Sequence, residues 1–522
     1  MKMNSKLEFG HQKFVMDCAK ANIGAMGSYK MMKTVAGSYS SIGCSHMQVK
    51  NFSRDLKAYD FYADAQMVIN KLHKKRELCS GFYFEVEVDE NDHLKSLFWA
   101  DPIARRNFCA FGDVVSFDAT YSTNKYNMIF APFTAKDNHG KCITLAAALM
   151  TGESIESYAW VFEAFKKCML HEPDVLITDQ DPAIKVAFKR VFQHTRHRLY
   201  MWHIMSKITE KVPVILKKDP DFMKQFCSLV WSVNVEPDVF EESWFISMYN
   251  IREMWIPAYS RDLKMGGLFR TTSPSESENS FFRMHMSAHS NLLQFFMYFE
   301  NALDSQRHDQ AKLNNQDLSC RPDFKTMLPF EKHATMDCLY EVDDCVNGIS
   351  TVKYDKVDLK YESIPQRYIV SRWTKQALLS TGQLISDDVL QSCAAIEENR
   401  FTLYDIVFEF YSCLSMADGD LDRSSSLLQA IRDVKCSFKS DGDVDNNLNG
   451  KKRLFEEYYQ SSLPEQVIIK SPEPVKTKGS GSRLKSDREK NVEKMSKPTR
   501  KCRSCGEKGH HDSRNCPGKK KI

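Results

Sequence analysis

The fold class is decided by residues 113–150, DVVSFDATYSTNKYNMIFAPFTAKDNHGKCITLAAALM. Three runs in this stretch are rich in β-branched, aromatic and small apolar residues, and turn residues such as Asn138, His139 and Gly140 separate them. Apolar runs of this length, bounded by turn residues, predict three consecutive β-strands. The stretch therefore predicts a strand-rich start to a folded core.

The next segments alternate between helix and strand. Residues 153–170 place aromatic and aliphatic side chains on a broad helical face, and DVLIT, residues 174–178, is typical of a buried strand. Pro182 opens a predicted helix that runs through Phe192, and residues 198–204 form a further apolar segment, read as a strand that passes into a helix. The order βββαβαβ indicates an α/β, RNase-H-like fold.

The flanking regions give the expected domain organisation. Helical and strand patterns are predicted over residues 60–76 and 82–88, and a long apolar run over residues 281–303 predicts the helix that closes the core. The predicted regions are a poorly ordered lead or remnant at 1–55, a region preceding the core at 56–110, the core at 111–310 with a helical insertion at about 205–265, a mostly helical region at 311–440, a basic disordered linker at 441–500, and a small zinc-binding module at 501–518.

Composition excludes several protein classes. The chain has 522 residues, 42% hydrophobic and 27% charged, which is close to the average for soluble globular proteins. The longest nearly uncharged apolar stretch, residues 142–150, is far shorter than the roughly 20 residues that a membrane span needs. The N-terminal residues lack the apolar run of a secretory signal, and 16 cysteines without such a signal favour reduced thiols. We therefore expect an intracellular protein that does not associate with a membrane.

The positive charge is concentrated at the C-terminus. Residues 471–522 contain 16 Lys and Arg against 6 Asp and Glu, a net charge of +10, so the preceding residues carry about −6 of the total of +4. A basic tail of this kind favours contact with phosphate backbones or with nuclear import receptors, although a solvated linker has the same composition. The short basic runs at 451–453 and 519–521 are candidate import signals.

Three acidic residues are candidates for phosphodiester chemistry. Asp118 ends the first predicted core strand, Asp179 directly follows the fourth, and Glu276 begins the closing helix. In an RNase-H topology these positions converge, and such a cluster suits two divalent cations that activate a nucleophile and stabilise a leaving oxygen. Singly, an Asp after a strand is more often a turn or capping residue. The neighbouring Asp113, Asp181 and Glu278 are assigned such ordinary roles.

The C-terminal module has the spacing of a zinc knuckle. In KCRSCGEKGHHDSRNCPGKKK, Cys502 and Cys505 are separated by two residues, His510 follows after four more, and Cys516 completes the set. Two cysteines at this spacing can reach one tetrahedral Zn²⁺. His510 is the preferred ligand and His511 the alternative, because His511 keeps the four-residue spacing to Cys516. No aromatic residue lies inside the module, so phosphate or protein contact is favoured over base stacking.

The same segments resemble a known family. The segments FGDVVSFDATYSTNKYNMIFAPFTAKDNHG, LITDQDPAIKVAF, HRLYMWHI and TTSPSESENSFF resemble the Mutator-like element (MULE) transposase domain. IPQRYIVSRWTK and NLLQFFMYFENALDSQRH are similar to the far-red-impaired-response-related plant transcription factors, which derive from these transposases. The resemblance covers roughly residues 82–377 and the terminal knuckle. It implies a DDE transposase-type core whose vestigial acidic triad is Asp118, Asp179 and Glu276.

Three departures from the family pattern shape the expectations. The Cys that usually precedes the Trp202-His203 element is Tyr200 here. Members usually begin with a zinc-finger DNA-binding domain, yet only a short lead precedes the core, so weak or indirect DNA binding is expected. Members also carry a SWIM zinc motif before the IPxxY element, and its CxC pair is absent. The surrounding Cys320, His333, Cys338 and Cys345 are therefore read as ordinary core or surface residues.

The resemblance implies a nuclear, Zn²⁺-binding transcriptional regulator that acts in light-responsive gene control, and whose core is catalytically inactive. Expected partners are DNA, full-length family members through dimerisation, and other transcription regulators. The alternative is an active metal-dependent DDE transposase or nuclease, which the retained carboxylates favour.

Overall fold

The computed structural model describes residues 7–59, 63–120, 123–201, 204, 250–256, 274–319, 406, 408–417, 419–439, 448–473, 500–501 and 508–509. For residues 274–279, 317–319, 438–439, 448–450 and the four residues at 500–501 and 508–509, the description is limited to the backbone. The chain divides into two compact units, residues 1–473 and 474–522, which are considered separately.

The larger unit is built on a seven-stranded mixed sheet. Its strands are β1 Tyr83–Val88, β2 Leu94–Ala100, β3 Val114–Phe117, β4 Ile129–Lys136, β5 Cys142–Met150, β6 Val175–Thr178 and β7 Arg196–Leu199, in the spatial order β1-β2-β5-β4-β3-β6-β7. In this spatial order, neighbouring strands from β1 to β3 pair antiparallel. β6 pairs parallel with β3, and β7 pairs parallel with β6. The three consecutive core strands and the DVLIT strand were predicted correctly, and β1 and β2 extend the sheet at the β5 edge.

Helices lie on both faces of this sheet. The bounds of the described α-helices are α1 Phe9–Lys20, α2 Ala25–Ala36, α3 His46–Ala58, α4 Asp64–Leu78, α5 Pro102–Phe111, α6 Ile155–Met169, α7 Pro182–Val191, α8 Pro274–His285, α9 Leu292–Ser319, α10 Leu421–Lys439 and α11 Leu448–Tyr459, of which α10 is largely exposed. No described helix combines the length and the apolar character that a bilayer span requires.

The first face of the sheet packs against α5, α6 and α7. Phe133 of β4 stacks on Phe165 of α6 with ring centroids 4.1 Å apart, and both rings are fully buried. Burying a phenylalanine side chain contributes roughly 1.5–3 kcal/mol, so such pairs fix α6 to the sheet. The helix starts are set locally: the Asp181 carboxylate accepts hydrogen bonds from the amides of Ala183 and Ile184 at 2.7 and 3.0 Å.

The opposite face packs against α4, α8 and α9. The ring of Phe130 on β4 contacts Phe282 of α8 and Phe295 of α9, with centroids 5.0 and 5.3 Å apart. The ammonium of Lys71, only 6% exposed, lies 2.7 Å from the Glu300 carboxylate and joins α4 to α9. This face therefore fixes α8 and α9 against the centre of the sheet.

The closing helix was predicted as one continuous element, but the structure has two helices there, α8 and α9. At the start of α9 the Asn291 side chain accepts a hydrogen bond from the Gln294 amide at 2.7 Å, and the Gln294 side chain accepts one from the Asn291 amide at 3.3 Å. This reciprocal pair is a capping box, which starts a new helix. The apolar periodicity continues across the break because both helices face the same core.

The structure corrects the prediction for the N-terminal region. Residues 1–55 were expected to be a poorly ordered lead, yet α1, α2 and most of α3 lie within this range, and Val15, Met16 and Val49 are at most 1% exposed. A capping box between Ser45 and Gln48 starts α3. The apolar positions on these helices are sparse, and they become a core only because α4, α9 and α11 pack on them.

The expected disordered linker at 441–500 is also corrected in part. It contains α11, whose Phe455 contacts Phe52 and Tyr59 with ring centroids 5.5 and 5.4 Å apart. Residues 461–473 follow without a helix or a named strand and still belong to the larger unit. Most of the predicted insertion at 205–265 lies outside the described residues, and its described end contains a short 3₁₀ turn at Arg252–Met254.

Candidate functional site

Asp118 and Asp179 lie at the same end of two neighbouring parallel strands. Val114 pairs with Val175 and Ser116 with Ile177, so continuing this register by two residues sets Asp118 opposite Asp179. Neighbouring strands lie roughly 4.8 Å apart, which brings the two backbones close together. This extension of the register is compatible with the convergence of the two acids, which stays a prediction.

Both acids lie on the face of the sheet that α8 covers. Phe117, beside Asp118, belongs to the cluster with α5, α6 and α7, and so does Leu176 of β6. Side chains alternate between the two faces along a strand, so positions 118 and 179 belong to the opposite face. Asp118 is only 8% exposed, and Asp179 is half-buried.

Helix α8 is anchored beside the chain that follows Asp118. Thr120 and Phe130 exchange backbone hydrogen bonds of 2.7 and 3.0 Å, and the Phe130 ring contacts Phe282. Glu276 lies on the same helix six residues before Phe282, roughly 9 Å along the axis at 1.5 Å per residue. The Glu276 side chain lies outside the described residues. The structure therefore gives the helix on which the third member of the predicted triad lies, and the contacts of its side chain are not described.

The loop after Asp118 is held by buried polar groups. The Asn124 side chain accepts hydrogen bonds from the amides of Tyr126 and Met128 at 3.1 and 3.0 Å and donates one to the Met128 carbonyl at 2.9 Å. The Lys125 amide donates to the Ser290 carbonyl at 2.8 Å, at the break between α8 and α9. The loop and α8 therefore share one anchoring point.

Asp64 is the centre of that anchor, and the sequence reading missed it. Its carboxylate is fully buried and accepts hydrogen bonds from the Tyr126 hydroxyl at 2.7 Å and the Leu292 amide at 2.8 Å. The Lys125 ammonium lies 3.8 Å from it, and the Ser471 hydroxyl also donates to it. Asp64 begins α4, where an acidic residue is common, so only the fold indicates its wider role.

A second polar group supports the backbone of Asp179 from the other face. The Thr178 hydroxyl donates to the Asp179 carbonyl at 2.9 Å and lies 2.8 Å from His197 Nε2, which donates to it as the Nε2–H tautomer. The His197 ring stacks on Phe188 of α7. Burial, followed by the charges of Lys185 and Lys189, lowers the pKa of His197 to about 4. His197 is therefore a neutral, positioning residue near pH 7.

Tyr200 completes the row of strand ends. Its amide donates to the Thr178 carbonyl at 3.0 Å, which extends the pairing of β6 and β7 past Leu199 and sets Tyr200 beside Asp179. Tyr200 is 7% exposed. The residue that departs from the family pattern thus lies in the same row as the two acids. Trp202 and His203 lie outside the described residues.

Arg198 connects this edge of the sheet to the end of the predicted insertion. Its guanidinium donates to the Glu253 carbonyl at 2.7 Å, and the side chain is 2% exposed. Burial, and then the charge of Arg196, lowers the pKa of Arg198 to about 10. The cation therefore holds residues 250–256 against β7 rather than facing solvent.

The remaining acidic and basic predictions have mixed outcomes. Asp181 caps α7, and the Asp113 carboxylate accepts from the Val114 amide at 3.0 Å, as expected for capping or local roles. Lys451, in the basic run 451–453, lies 2.6 Å from Asp55 and is committed to the packing of α11 on α3. The Glu278 side chain lies outside the described residues.

The predicted zinc ligands and the region of the SWIM prediction lie outside the described residues. These are Cys502, Cys505, His510, His511 and Cys516, and in the middle of the chain Cys320, His333, Cys338 and Cys345. In the smaller unit, β8 Arg500–Lys501 pairs antiparallel with β9 Lys508–Gly509, so the chain reverses between them. Among the side chains that the structure describes, no three His, Cys, Asp or Glu residues form a group that could hold a metal ion.

The chain matches known proteins across the regions described above. A family model described as the MULE transposase domain matches residues 114–207, which include Asp118, Asp179 and Tyr200. Protein FAR1-RELATED SEQUENCE 5 of Arabidopsis thaliana is 31% identical over 344 residues, 62% of this chain and 43% of the relative. Protein FAR1-RELATED SEQUENCE 9 is 32% identical over 282 residues, 51% of each chain.

A third relative matches a similar share of the chain. Protein FAR-RED IMPAIRED RESPONSE 1 of Arabidopsis thaliana is 26% identical over 322 residues, 58% of this chain and 39% of the relative. The chain therefore spans about half the length, or less, of these relatives. Together with the MULE match, these similarities show that the chain resembles the FAR1-related sequence proteins over about half of its length or more.

Proposed function

We propose that this protein is a nuclear, zinc-binding regulator of transcription that uses its transposase-derived core as a scaffold, in light-responsive gene control. The observation that carries the proposal is the similarity to FAR1-RELATED SEQUENCE 5 over 62% of the chain, combined with the MULE match at the sheet. The name of FAR-RED IMPAIRED RESPONSE 1 motivates the light-responsive context.

The strand order supports an RNase-H-type ancestry for the core. From β5 to β7 the order is β5-β4-β3-β6-β7, with the first three strands antiparallel and the last three parallel. This is the arrangement expected when three sequential strands are followed by two helix-linked parallel strands. In such a core the acidic residues belong at the carboxyl ends of the central strands, where Asp118 and Asp179 lie.

Catalytic inactivity is proposed from Tyr200 and its surroundings. Where active relatives of the fold are expected to carry a Cys-to-His element, this chain has a buried tyrosine in register with Asp179. A phenol is larger than a thiol and has an ordinary pKa near 10, so it does not replace a soft metal ligand or a thiolate. The acidic pair would then remain for its structural contacts.

An active metal-dependent DDE transposase or nuclease is the second candidate, because Asp118 and Asp179 follow two neighbouring parallel strands at the same edge of the sheet. Carboxylate oxygens are suitable donors for Mg²⁺ or Mn²⁺, and Asp118, Asp179 and Glu276 would hold such ions. When bound, two such cations would activate a nucleophile and stabilise a leaving oxygen. The chain's own contribution would be positioning, through the loop and helix that Asp64 anchors.

Zinc binding is proposed for the smaller unit. Three thiols and an imidazole at positions 502, 505, 510 and 516 form a donor set that prefers Zn²⁺ in tetrahedral geometry. The antiparallel pairing of Arg500 with Gly509 and of Lys501 with Lys508 is compatible with a knuckle. Bound zinc would stabilise the fold of this small module. Alanine at His510, compared with alanine at His511, identifies the imidazole ligand through the zinc content of the purified protein.

The partners proposed are DNA, full-length family members and other transcription regulators. The net charge of +10 over residues 471–522 favours contact with a phosphate backbone, and that contact would weaken steeply with salt.

A reporter assay tests the proposed function. The full chain is tethered to a promoter through a heterologous DNA-binding domain in plant cells, beside an Asp118→Asn variant, and its distribution is followed by fluorescence. Nuclear accumulation with a reporter response that survives Asp118→Asn is the predicted result. A chain that stays outside the nucleus or leaves the reporter unchanged would contradict the proposal.

A further inference from the structure

The 13-residue segment 461–473, which follows α11 and has no helix or named strand, is here called the strap. It is bound to the rest of the larger unit mainly through its backbone. The amides of Ile468 and Ile469 both donate to the Gln66 side-chain oxygen, at 3.1 and 2.8 Å. These contacts join the strap to the first turn of α4.

The strap also pairs with the hairpin between β1 and β2. The Lys470 amide donates to the Asp92 carbonyl at 2.8 Å, and the Lys470 carbonyl accepts from the Leu94 amide at 2.9 Å. This exchange forms a parallel bridge between His93 and Lys470. Three consecutive strap amides are therefore engaged, although Ile468 itself is 69% exposed.

The end of the strap places a hydroxyl on a buried carboxylate. Ser471 donates to Asp64, which is fully buried, and accepts from the Ala65 amide at 3.3 Å. Pro472 is buried beside it, and Glu473 is exposed. A neutral hydroxyl fits this position because it supplies the proton that the carboxylate accepts.

The dipeptide Ser471-Pro472 is the acceptor sequence that proline-directed protein kinases require. We propose that Ser471 is a phosphorylation site for a kinase of this class, and that its modification releases the strap from the larger unit. The γ-phosphoryl group of ATP moves to Ser471 Oγ, the hydroxyl proton is lost and ADP leaves. The product carries a charge of about −1.5 to −2 where Asp64 already carries a negative charge.

The surrounding charges favour release over a new contact. The Lys125 ammonium, 3.8 Å from Asp64, already offsets that carboxylate, and Glu473 adds a negative charge two residues after the modified serine. Phosphoserine also lacks the hydroxyl proton that Asp64 accepts. Like charges at contact distance in a buried site repel strongly, so the docked and modified states are incompatible.

The order of events follows from burial. While the strap is docked, the hydroxyl is engaged by Asp64 and Pro472 is buried, so the kinase acts on the transiently released strap. Modification then prevents redocking. Release frees 13 residues, which can span roughly 40 Å when extended, at the point where the chain leaves the larger unit.

Hydrogen exchange on the full-length protein tests the release. Ser471→Glu is compared with Ser462→Glu, which adds the same charge at an exposed position of the same strap. We expect the amides of residues 468–470 to exchange at least about tenfold faster in Ser471→Glu, because charge repulsion opposes docking. Exchange that is equal in the two variants, or slower in Ser471→Glu, would overturn the release.

Direct phosphorylation tests the site itself. The full-length protein and a synthetic peptide of residues 464–478 are incubated with ATP and a MAP kinase, and the modified residues are located by mass spectrometry. Phosphate on Ser471 of the protein, accompanied by faster exchange at residues 468–470, supports the proposal. Phosphate on the peptide but not on the protein refutes it, as does a phosphorylated protein whose strap remains protected.

Discussion

Replacement of Asp64 by alanine should destabilise the larger unit far more than its single position suggests. The carboxylate is fully buried and accepts hydrogen bonds from the Tyr126 hydroxyl at 2.7 Å and the Leu292 amide at 2.8 Å. Hydrogen bonds to a charged group contribute roughly 1.5–3 kcal/mol each, so losing these two, apart from the third from Ser471, predicts a decrease of at least about 4 kcal/mol in the free energy of unfolding.

The assay is urea denaturation followed by tryptophan fluorescence and circular dichroism, with Asp17→Ala as the control. Asp17 is 55% exposed and pairs with Lys20 at 3.3 Å, so its removal should cost no more than about 1 kcal/mol. Tyr126→Phe, alone and combined with Asp64→Ala, isolates one of the hydrogen bonds.

The double variant measures the interaction between Asp64 and Tyr126 even if Asp64→Ala alone is poorly stable. Tyr126→Phe should cost about 1–2 kcal/mol in the wild-type background and clearly less in the Asp64→Ala background, because the acceptor is already gone. Equal costs in both backgrounds, or an Asp64→Ala variant as stable as Asp17→Ala, would refute the role of Asp64 as an anchor.

Three further predictions concern the core, its pH dependence and the tail. Gly112→Ala should destabilise by about 2 kcal/mol in urea titration, since an added Cβ would lie 2.3 Å from the Phe108 ring and 2.4 Å from its carbonyl oxygen, whereas Gly152→Ala, with nothing within 4 Å, should be nearly neutral. His197 has a pKa near 4 in the folded protein against an ordinary 6.5, so the unfolded chain binds the proton first and stability falls as the pH drops. Between pH 7 and 5 this loss should be about 2 kcal/mol, and His197→Gln should remove that part of the slope; an unchanged slope would contradict the buried neutral ring. The purified chain should contain one zinc per molecule by elemental analysis, and Cys505→Ser should lower that content; a zinc content unaffected by this change would refute the knuckle.

The sequence predicted the core well where the local pattern is strong. The strands around Phe117 and Phe133 and the DVLIT strand are short apolar runs between turn residues, and each forms a buried strand in the sheet. The turn between β4 and β5 follows from Asp137, whose carboxylate accepts from the amides of His139 and Lys141 at 2.9 Å each, and from Gly140 with φ at +68°. These features depend on residues close together in the sequence.

The features that were missed depend on residues far apart in the sequence. α1–α3 have weak periodicity, and Val15 and Leu56 become buried only because distant helices cover them. The strap was assigned to a disordered linker because its sequence contains no pattern that predicts its partners. Those partners, Gln66 and Asp64, lie about 400 positions earlier and accept hydrogen bonds from the strap's backbone amides and from its serine.

The candidate site was predicted in the same uneven way. Asp118 and Asp179 follow strands, so their register was accessible from the sequence once the strand order was inferred. Thr178 and His197, which hold the Asp179 backbone from the opposite face of the sheet, could not be predicted from the sequence. A buried threonine and a buried histidine have many ordinary roles in a sheet. Their importance depends on which strands become neighbours.

The most direct test of the central claim is DNA cleavage by the purified full-length protein. Plasmid and single-stranded DNA are incubated with Mg²⁺ or Mn²⁺ and with the wild-type, Asp118→Asn and Asp179→Asn proteins, after zinc content and folding have been verified. A scaffold core predicts no cleavage above the background that the two variants share. Metal-dependent cleavage by the wild type that both substitutions abolish would contradict the account and make this chain an active phosphodiester enzyme.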